Sequence, residues 1–161
     1  MSEHTDAEGH TEESAKIINS EKFLVFSILG KSYCLPSRQI GEIALFDAVY
    51  PLPLMPSYVL GIVNRYSTPY ALFDTGLLFQ KTPCPRKKIL ILKEEIDRVA
   101  FLIDDITAIA DIQNEEIFTV EKKSDSDELT DGINASFKLN ENDVFVLDVN
   151  KILNRVSEEL L

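Results

Sequence analysis

The chain has 161 residues, of which 45% are hydrophobic and 27% are charged, and its formal net charge is −11. A chain of this length buries roughly 70% of its unfolded surface, which is enough for one domain or for two small lobes that share a core. The acidic charge argues against nucleic-acid binding, because that function depends on clustered Lys and Arg side chains that neutralise phosphates.

The N-terminal segment is an acidic tail. Residues 1 to 21 hold six acidic residues against one basic residue and almost no large apolar residue before Ile17. Such a segment cannot bury enough apolar surface to offset the entropy lost on ordering. We predict a disordered tail over residues 1–21 and a folded domain over residues 22–161.

A β-hairpin is predicted directly after the tail. Apolar residues alternate with others at Leu24, Phe26 and Ile28, which is the pattern of a strand with one buried face. The Gly30-Lys31 turn and the segment from Ser32 to Leu35 supply the second strand.

The next elements complete a first lobe. Residues 40–43 are predicted to be extended, and the three prolines within residues 51–56 exclude regular structure there. Residues 60–63 and 70–73 have the composition of strands. Asp74 is a suitable N-cap for the short helix that follows.

The second lobe begins after a natural linker at residues 81–85. A hairpin is predicted from residues 89–92 and 99–103, so we place the boundary between the lobes near residues 80–88. Asp148 caps a C-terminal helix whose apolar residues recur at helical spacing. We expect this helix to cover the sheet, because such apolar stripes are usually core.

A weak internal repeat relates the two lobes. Five apolar positions of the first half recur 66 positions later, and each half ends in a strand, an aspartate and a helix. Many short strands with turns at near-regular spacing favour two small barrels over a parallel sheet. The repeated positions are Leu24, Tyr33, Leu35, Ile40 and Ile43, matched by Leu90, Val99, Phe101, Ile106 and Ile109.

The sequence shows no site for chemistry. Both histidines, His4 and His10, lie in the tail, and Cys34 and Cys84 are 50 positions apart, unlike a zinc-binding pair. The acidic residues 104 and 105 are consecutive, so their side chains point to opposite faces of a strand. There is no glycine-rich phosphate-binding loop. We therefore predict no enzymatic activity, no cofactor and no metal.

Four blocks of sequence carry a likeness to a known family. They are Phe23-Leu24-Val25-Phe26 with Tyr33 and Leu35; Ile40-Gly41-Glu42-Ile43; Pro56 through Asn64 with Asp74; and Val99-Ala100-Phe101-Leu102-Ile103-Asp104. Together they resemble the CheW adaptors of bacterial chemotaxis, and the likeness covers roughly Lys22 to Leu161. The third block is the most specific.

The resemblance implies a mainly β fold and a role without catalysis. It implies two intertwined five-stranded SH3-like barrels with short helices and a C-terminal helix. A hydrophobic groove would receive the cytoplasmic tip of a methyl-accepting chemoreceptor, and the barrel ends would contact the regulatory domain of a histidine kinase. Such an adaptor has no cofactor and does not insert into the membrane. We expect it in the cytoplasm, recruited to membrane-associated receptor arrays.

Five residues are the candidate partner-binding residues that the resemblance indicates: Ile40, Glu42, Gly61, Asn64 and Tyr66. Ile40 and Glu42 match family positions involved in partner contacts, and Gly61 matches a glycine at which larger side chains impair receptor coupling. Physically, Gly61 permits close backbone approach, Ile40 adds apolar area and Glu42 offers a charge at the rim. Alternatively, Gly61 relieves a turn, Ile40 belongs to the core and Glu42 is solvated.

One departure from the family pattern affects these residues. The family normally continues after the asparagine with Leu-Arg-Gly, whereas Asn64 is followed by Arg65-Tyr66-Ser67. An ion pair made from the usual arginine position is lost at Tyr66, and Arg65 is sent to the opposite face of the strand. Ser67 replaces a glycine that would permit a left-handed turn. We predict a diverged member with altered partner choice.

Two other functions remain open at the level of sequence. One is a small-ligand sensor with a pocket between the lobes. The other is a ring-forming structural subunit of a chemosensory array that joins neighbouring adaptors or kinases through exposed edge strands.

Overall fold

The computed structural model describes residues 19–46, 48–85, 88–120 and 132–160. Within these ranges the protein is mainly β, with eleven strands and two α-helices. The strands are β1 (Ser20–Ile28), β2 (Lys31–Pro36), β3 (Ile40–Leu45), β4 (Val59–Arg65), β5 (Thr68–Asp74), β6 (Lys88–Leu92), β7 (Val99–Ile103), β8 (Asp105–Gln113), β9 (Phe118–Thr119), β10 (Ile133–Leu139) and β11 (Asn142–Leu147). The helices are α1 (Thr75–Gln80) and α2 (Val149–Leu160).

The folded domain begins slightly earlier than the sequence predicts. Strand β1 starts at Ser20, so the last two residues of the predicted tail belong to a sheet. Glu21 is also paired with Arg38, whose Nε lies 2.8 Å from the carboxylate. Residues 1–18 of the predicted tail lie outside the described residues.

The strands form two sheets, and after each hairpin the chain passes into the other sheet, a change that we call strand exchange. The five-stranded sheet is therefore made of the consecutive strands β3 to β7. The strand order is β8-β1-β2-β11-β10-β9 in the six-stranded sheet and β3-β6-β7-β5-β4 in the five-stranded sheet. Strand β3 follows the β1–β2 hairpin in the chain but pairs with β6. Strand β8 follows the β6–β7 hairpin but pairs with β1. Each half of the chain therefore completes the sheet of the other.

This exchange places the division between lobes differently from the predicted boundary near residues 80–88. Strands β5 and β7 lie on either side of that segment in the chain, yet they pair in parallel within the same sheet. The predicted linker is also packed: the Cys84 side chain is 7% exposed and belongs to the interior of the five-stranded unit. The sheets thus do not divide the chain there.

The register of pairing reproduces the internal repeat. Leu24 pairs with Leu35 across the first hairpin, and Leu90 pairs with Phe101, the residues 66 positions later, across the second. The exchanged strands obey the same rule, because Leu24 also pairs with Ile109 whereas Leu90 pairs with Ile43. The repeated apolar pattern of the sequence therefore corresponds to two equivalent structural units.

Three apolar clusters hold the units together. Strand β1 shows how, because Phe23 and Val25 face the interior of the six-stranded unit while Leu24, Phe26 and Ile28 face the other way. A second cluster fills the five-stranded unit. The largest cluster, which we call the central cluster, lies between the two units and contains residues from both hairpins and both helices. Both faces of the hairpin strands are thus removed from water.

The helices follow equivalent strands and are capped in the same way. Asp74 accepts a hydrogen bond from Leu77 N at 3.1 Å, and Asp148 accepts one from Lys151 N at 3.2 Å. Helix α2 packs on the central cluster through Ile152, which is fully buried. Of the helices in the described ranges, neither has the length and apolar character needed to cross a bilayer.

Candidate functional site

The predicted partner-binding residues lie on or directly after β3 and β4, the two edge strands of the five-stranded unit. Strands β3 and β4 are the ends of the sheet order, and Glu42 on β3 is bound by Arg65 on β4. Arg65 Nε donates to Glu42 Oε2 at 3.0 Å, and Nη2 donates to Oε1. This bidentate ion pair closes the sheet into a barrel. We call the junction between β3 and β4 the seam.

The ion pair changes the electrostatic character of Glu42. The hydrogen bond from Arg65 lowers the pKa of the Glu42 carboxyl, and the same bond raises the pKa of the Arg65 guanidinium. Glu42 therefore stays ionised and is occupied by an internal partner. The prediction that Glu42 offers a charge to another protein must therefore include Arg65, which already binds this carboxylate.

The turn after β4 shows how the departure from the family pattern is accommodated. Tyr66 and Ser67 both have positive φ, at 50° and 66°, the arrangement of a two-residue type I′ hairpin turn. Ser67 thus adopts the left-handed conformation without glycine. The Tyr66 side chain is 83% exposed, and the Arg65 guanidinium carbon lies 4.7 Å from its ring centroid. Arg65 is therefore held between Glu42 and an aromatic ring.

Gly61 is buried beneath the chain's own backbone. Its φ is 141°, and an added Cβ would lie 2.8 Å from Pro51 Cα and closer still to the Tyr50 carbonyl oxygen. Tyr50 and Ile62 exchange two backbone hydrogen bonds of 2.8 Å at this point. The close approach expected from the glycine therefore exists, but the segment that approaches is Tyr50-Pro51. Gly61 acts on the surface only through the segment it accommodates.

An internal comparison shows why this position requires glycine. The bulge at Val59 and Gly61 in the β4–β5 pair recurs at Ile133 and Ala135 in the β10–β11 pair. Ala135 carries a Cβ at the equivalent place, but it does not have a positive φ. The requirement at position 61 therefore comes from the φ of 141° as well as from the Tyr50-Pro51 crossing.

Exposed apolar side chains concentrate in the part of the chain from Ile43 to Tyr66. Leu45 on β3 is 75% exposed, Leu54 is 96% exposed and Tyr66 is 83% exposed. Leu54 is also at a positive φ of 61°, which is unfavourable for leucine. Seven exposed residues of this part of the chain make up what we call the apolar surface: Ile43, Leu45, Tyr50, Leu52, Leu54, Met55 and Tyr66.

The other predicted site residues take different positions. Asn64 is exposed beside the seam, and it lines a cavity of about 210 Å³ with Ala44, Val63 and Arg65. Ile40 is partly buried against the central cluster. The structure thus brings Glu42, Asn64 and Tyr66 together at the seam, places Gly61 beneath it and directs Ile40 toward the core.

One cavity between the two units does not resemble a typical small-ligand site. It has a volume of about 420 Å³ and is lined largely by polar and charged groups, among them Arg38, Glu95, Asp97 and Asp148. Ligand pockets are usually lined by apolar and aromatic side chains with a few polar groups. The central cluster also lies between the units.

Reactive groups in the described part of the chain are engaged in the structure. Burial raises the pKa of the Cys34 thiol well above its ordinary value. Asp104 accepts hydrogen bonds from Leu29 N at 2.7 Å and from Cys84 Sγ at 3.1 Å, whereas Asp105 pairs with Lys88. Over the described ranges, no three His, Cys, Asp or Glu side chains are arranged to hold a metal ion.

Two features of the site were missed by sequence reasoning. The Glu42–Arg65 pair joins strands that are not sheet neighbours, so no sequence periodicity signals it. The contact of Tyr58 with Glu159 at the end of α2, at 2.7 Å, spans 101 residues. The opposite charges of Glu42 and Arg65 are a sequence signal for the first contact, and the second contact has no such signal.

Comparisons with known proteins agree on one family. Residues 22–157 match the model of the CheW-like domain. The chain is 30% identical over 138 residues to the chemotaxis protein CheW of Helicobacter pylori, covering 83% of this chain and 82% of that protein. The scaffolding protein TtCheW of Thermoanaerobacter tengcongensis has a similar structure, with a TM-score of 0.68, 16% identity and coverage of 80% of this chain and 88% of that one.

The structural likeness confirms the predicted architecture of two intertwined SH3-like barrels with a C-terminal helix. One detail differs, because the barrel built around β1 and β2 has six strands. The additional strand is β9, which contains only two residues and pairs with β10.

Proposed function

The chain belongs to the CheW-like domain family and is a chemotaxis coupling protein, and from this premise we propose that it connects chemoreceptors to a histidine kinase by protein–protein contacts alone. The partners we propose are the cytoplasmic tip of a methyl-accepting chemoreceptor and the regulatory domain of the kinase. The protein would act in the cytoplasm at membrane-associated receptor arrays. It would alter the conformational populations of the kinase and catalyse no reaction.

The observation that carries this proposal is the apolar surface. Seven of the ten large hydrophobic side chains that are exposed in the described ranges lie between residues 43 and 66. Clustered exposed apolar side chains are typical of a protein interaction site. The surface also includes Tyr66 and borders Asn64, two of the residues indicated by the family resemblance.

The five candidate residues would contribute in different ways. Asn64 and Tyr66 are exposed and would touch a partner directly. Glu42 would act by holding Arg65 across the seam, and Gly61 would act by admitting the Tyr50-Pro51 segment. Ile40 would support the edge of the surface from the central cluster.

We further propose that the seam determines partner choice. Arg65 is fixed by Glu42 and covered by Tyr66, so the face at this turn is aromatic where the family normally has an arginine. An aromatic plate rejects partners that require a charged group and accepts apolar or cationic ones. This favours a dedicated kinase or receptor class.

Co-sedimentation with receptor-tip assemblies and the cognate kinase tests the proposal. We expect the protein in the pellet, and we expect Leu54→Ser to weaken its association about tenfold, because the lost contact is worth ~1.4 kcal/mol. The matched control is Phe118→Ser, an exposed apolar residue on β9 of the other barrel. Absence of the unaltered protein from the pellet with every cognate pair would contradict the proposal.

A further inference from the structure

The loop of residues 51–57, which we call the docking loop for the role proposed above, is anchored at both ends. At its N-terminal end, Tyr50 is paired with Ile62 above Gly61. At its C-terminal end, Tyr58 is 4% exposed, and its carbonyl oxygen accepts a 2.8 Å hydrogen bond from Asp74 N. Leu54, between these anchors, is 96% exposed. The position of the loop therefore depends on what holds its two ends.

The second anchor includes the last turn of α2. The Tyr58 hydroxyl donates to Glu159 Oε2 at 2.7 Å. The Arg155 guanidinium carbon lies 5.0 Å from the centroid of the Tyr58 ring, and Arg155 Nε donates to Glu159 Oε1 at 3.2 Å. Phe73 stacks on the ring with a centroid distance of 6.4 Å. Tyr58 is thus held on its ring and at its hydroxyl.

The helix that supplies these groups is fixed elsewhere in the molecule. Helix α2 follows β11 of the six-stranded barrel, and its first half is anchored in the central cluster by Val149 and Ile152. Arg155 also donates to the Leu78 carbonyl oxygen of α1 at 3.2 Å. The C-terminal end of α2 thereby reaches the five-stranded barrel.

A cavity beside the anchor shows how the helix reaches the loop. About 380 Å³ of space lies among Pro56, Ser57, Leu77, Arg155 and Glu159, with Tyr58 in its wall. The helix is therefore linked to the loop through the contacts of the Tyr58 side chain with Arg155 and Glu159. Burial, followed by the hydrogen bond to Glu159, raises the pKa of the Tyr58 hydroxyl, which favours the protonated form that donates this hydrogen bond.

We propose that Tyr58, Arg155 and Glu159 are positioning residues that set the docking loop for partner binding, so that α2 controls the loop without touching the partner. This inference rests on the proposed function, because it assigns the loop to partner binding. Removing the link frees the loop to sample other conformations, and the partner then binds only the fraction of molecules in which the loop is correctly placed.

The test uses the full chain with two conservative point substitutions and a matched control. Tyr58→Phe deletes the hydroxyl and keeps the ring on Phe73 and under Arg155. Glu159→Gln weakens the acceptor on the exposed side of the same bond. Glu158→Gln, the adjacent helix position and also exposed, makes the same change of charge without addressing Tyr58.

The two measurements are loop exchange, by which we mean hydrogen exchange of the Val59 and Asp74 amides that donate to Pro56 and Tyr58 at the end of the loop, and affinity for the kinase and the receptor tip. We expect both Tyr58→Phe and Glu159→Gln to accelerate exchange in the loop about fivefold to tenfold, in line with loss of a hydrogen bond to a charged group. Affinity for the partner that contacts the loop should fall about threefold to tenfold. Glu158→Gln should match the unaltered protein in both.

The outcomes separate this inference from the proposed function. Loop exchange within twofold of the unaltered protein in both variants overturns the positioning role. An equal acceleration across the loop and the β-sheets also overturns it, because the link would then serve global stability. If the unaltered protein binds neither partner, the proposed function fails, while loop exchange still decides whether α2 holds the loop.

Discussion

At the scale of single residues, the structure separates two roles that a glycine can have. Gly30 has a φ of 83° in a hairpin turn, and its Cβ position is open. Gly61 has a φ of 141° and also lies against Pro51 and Tyr50. A side chain at position 30 incurs only backbone strain, whereas one at position 61 must also displace a neighbouring segment.

Gly61→Ala tests this difference. We expect it to lower the free energy of unfolding by about 2–4 kcal/mol, the sum of backbone strain and displacement of the crossing segment. Gly30→Ala is the control and should cost about 1 kcal/mol, from strain alone. Urea denaturation of both variants measures the values. Equal losses at the two positions would show that the Tyr50-Pro51 crossing is not the cause.

At the scale of elements, the seam between β3 and β4 is the part of the five-stranded barrel closed by side chains. Its ion pair carries a definite pH dependence, because folding lowers the pKa of Glu42. A carboxyl whose pKa is lower in the folded state stabilises the fold above its ordinary pKa. That contribution is lost as the pH falls through the lowered value. The seam should therefore loosen in acid.

Titration of the Glu42 side-chain carboxyl by NMR measures this effect. In the unaltered protein its pKa should lie below the ordinary range for glutamate. Arg65→Met should return it toward that range, because the hydrogen bond and the charge of Arg65 are both removed. Arg38→Met removes an arginine that pairs with Glu21 and should leave the Glu42 titration unchanged. Identical Glu42 titrations with and without Arg65 would refute the assignment.

At the scale of the whole molecule, strand exchange makes the two barrels mutually dependent. The segment before residue 86 supplies β1 to β5 and the segment after residue 87 supplies β6 to β11, yet each sheet draws on both. Neither segment alone can complete a barrel or bury the central cluster. Folding should therefore require both.

Expression of residues 1–85 and 86–161 as separate chains tests this dependence. We expect each fragment alone to lack dispersed amide signals and a cooperative thermal transition. Mixing them should restore both, because the pairs β1–β8 and β3–β6 then form between fragments. A cooperative transition in either fragment alone would mean that one barrel folds without the exchanged strand.

The extent to which the sequence predicts this structure depends on the range of the interactions. The hairpins and the capped helices follow from alternation, turn residues and Asp74 or Asp148, which are local signals. The exchange of β3 and β8 could not be predicted, because a strand has the same periodicity whichever neighbour it pairs with. The family resemblance supplied the intertwined arrangement.

The candidate site shows the same limit. The sequence indicates that Gly61 lies under a close backbone approach, and the structure identifies Tyr50-Pro51 as the approaching segment. The Glu42–Arg65 pair and the Tyr58–Glu159 hydrogen bond arise only after the barrel has closed and α2 has docked. Contacts between distant segments leave no periodic trace in a single sequence.

The exchanged strands have a mechanical consequence. A load applied at one barrel reaches the other through the β2–β3 and β7–β8 connections, where the chain passes between the sheets, and through the apolar cluster that both barrels share. The protein should therefore move as one stiff body rather than as two independently mobile barrels. A displacement of a molecule bound to one barrel would then displace a molecule bound to the other barrel by nearly the same distance, because the protein between them deforms little.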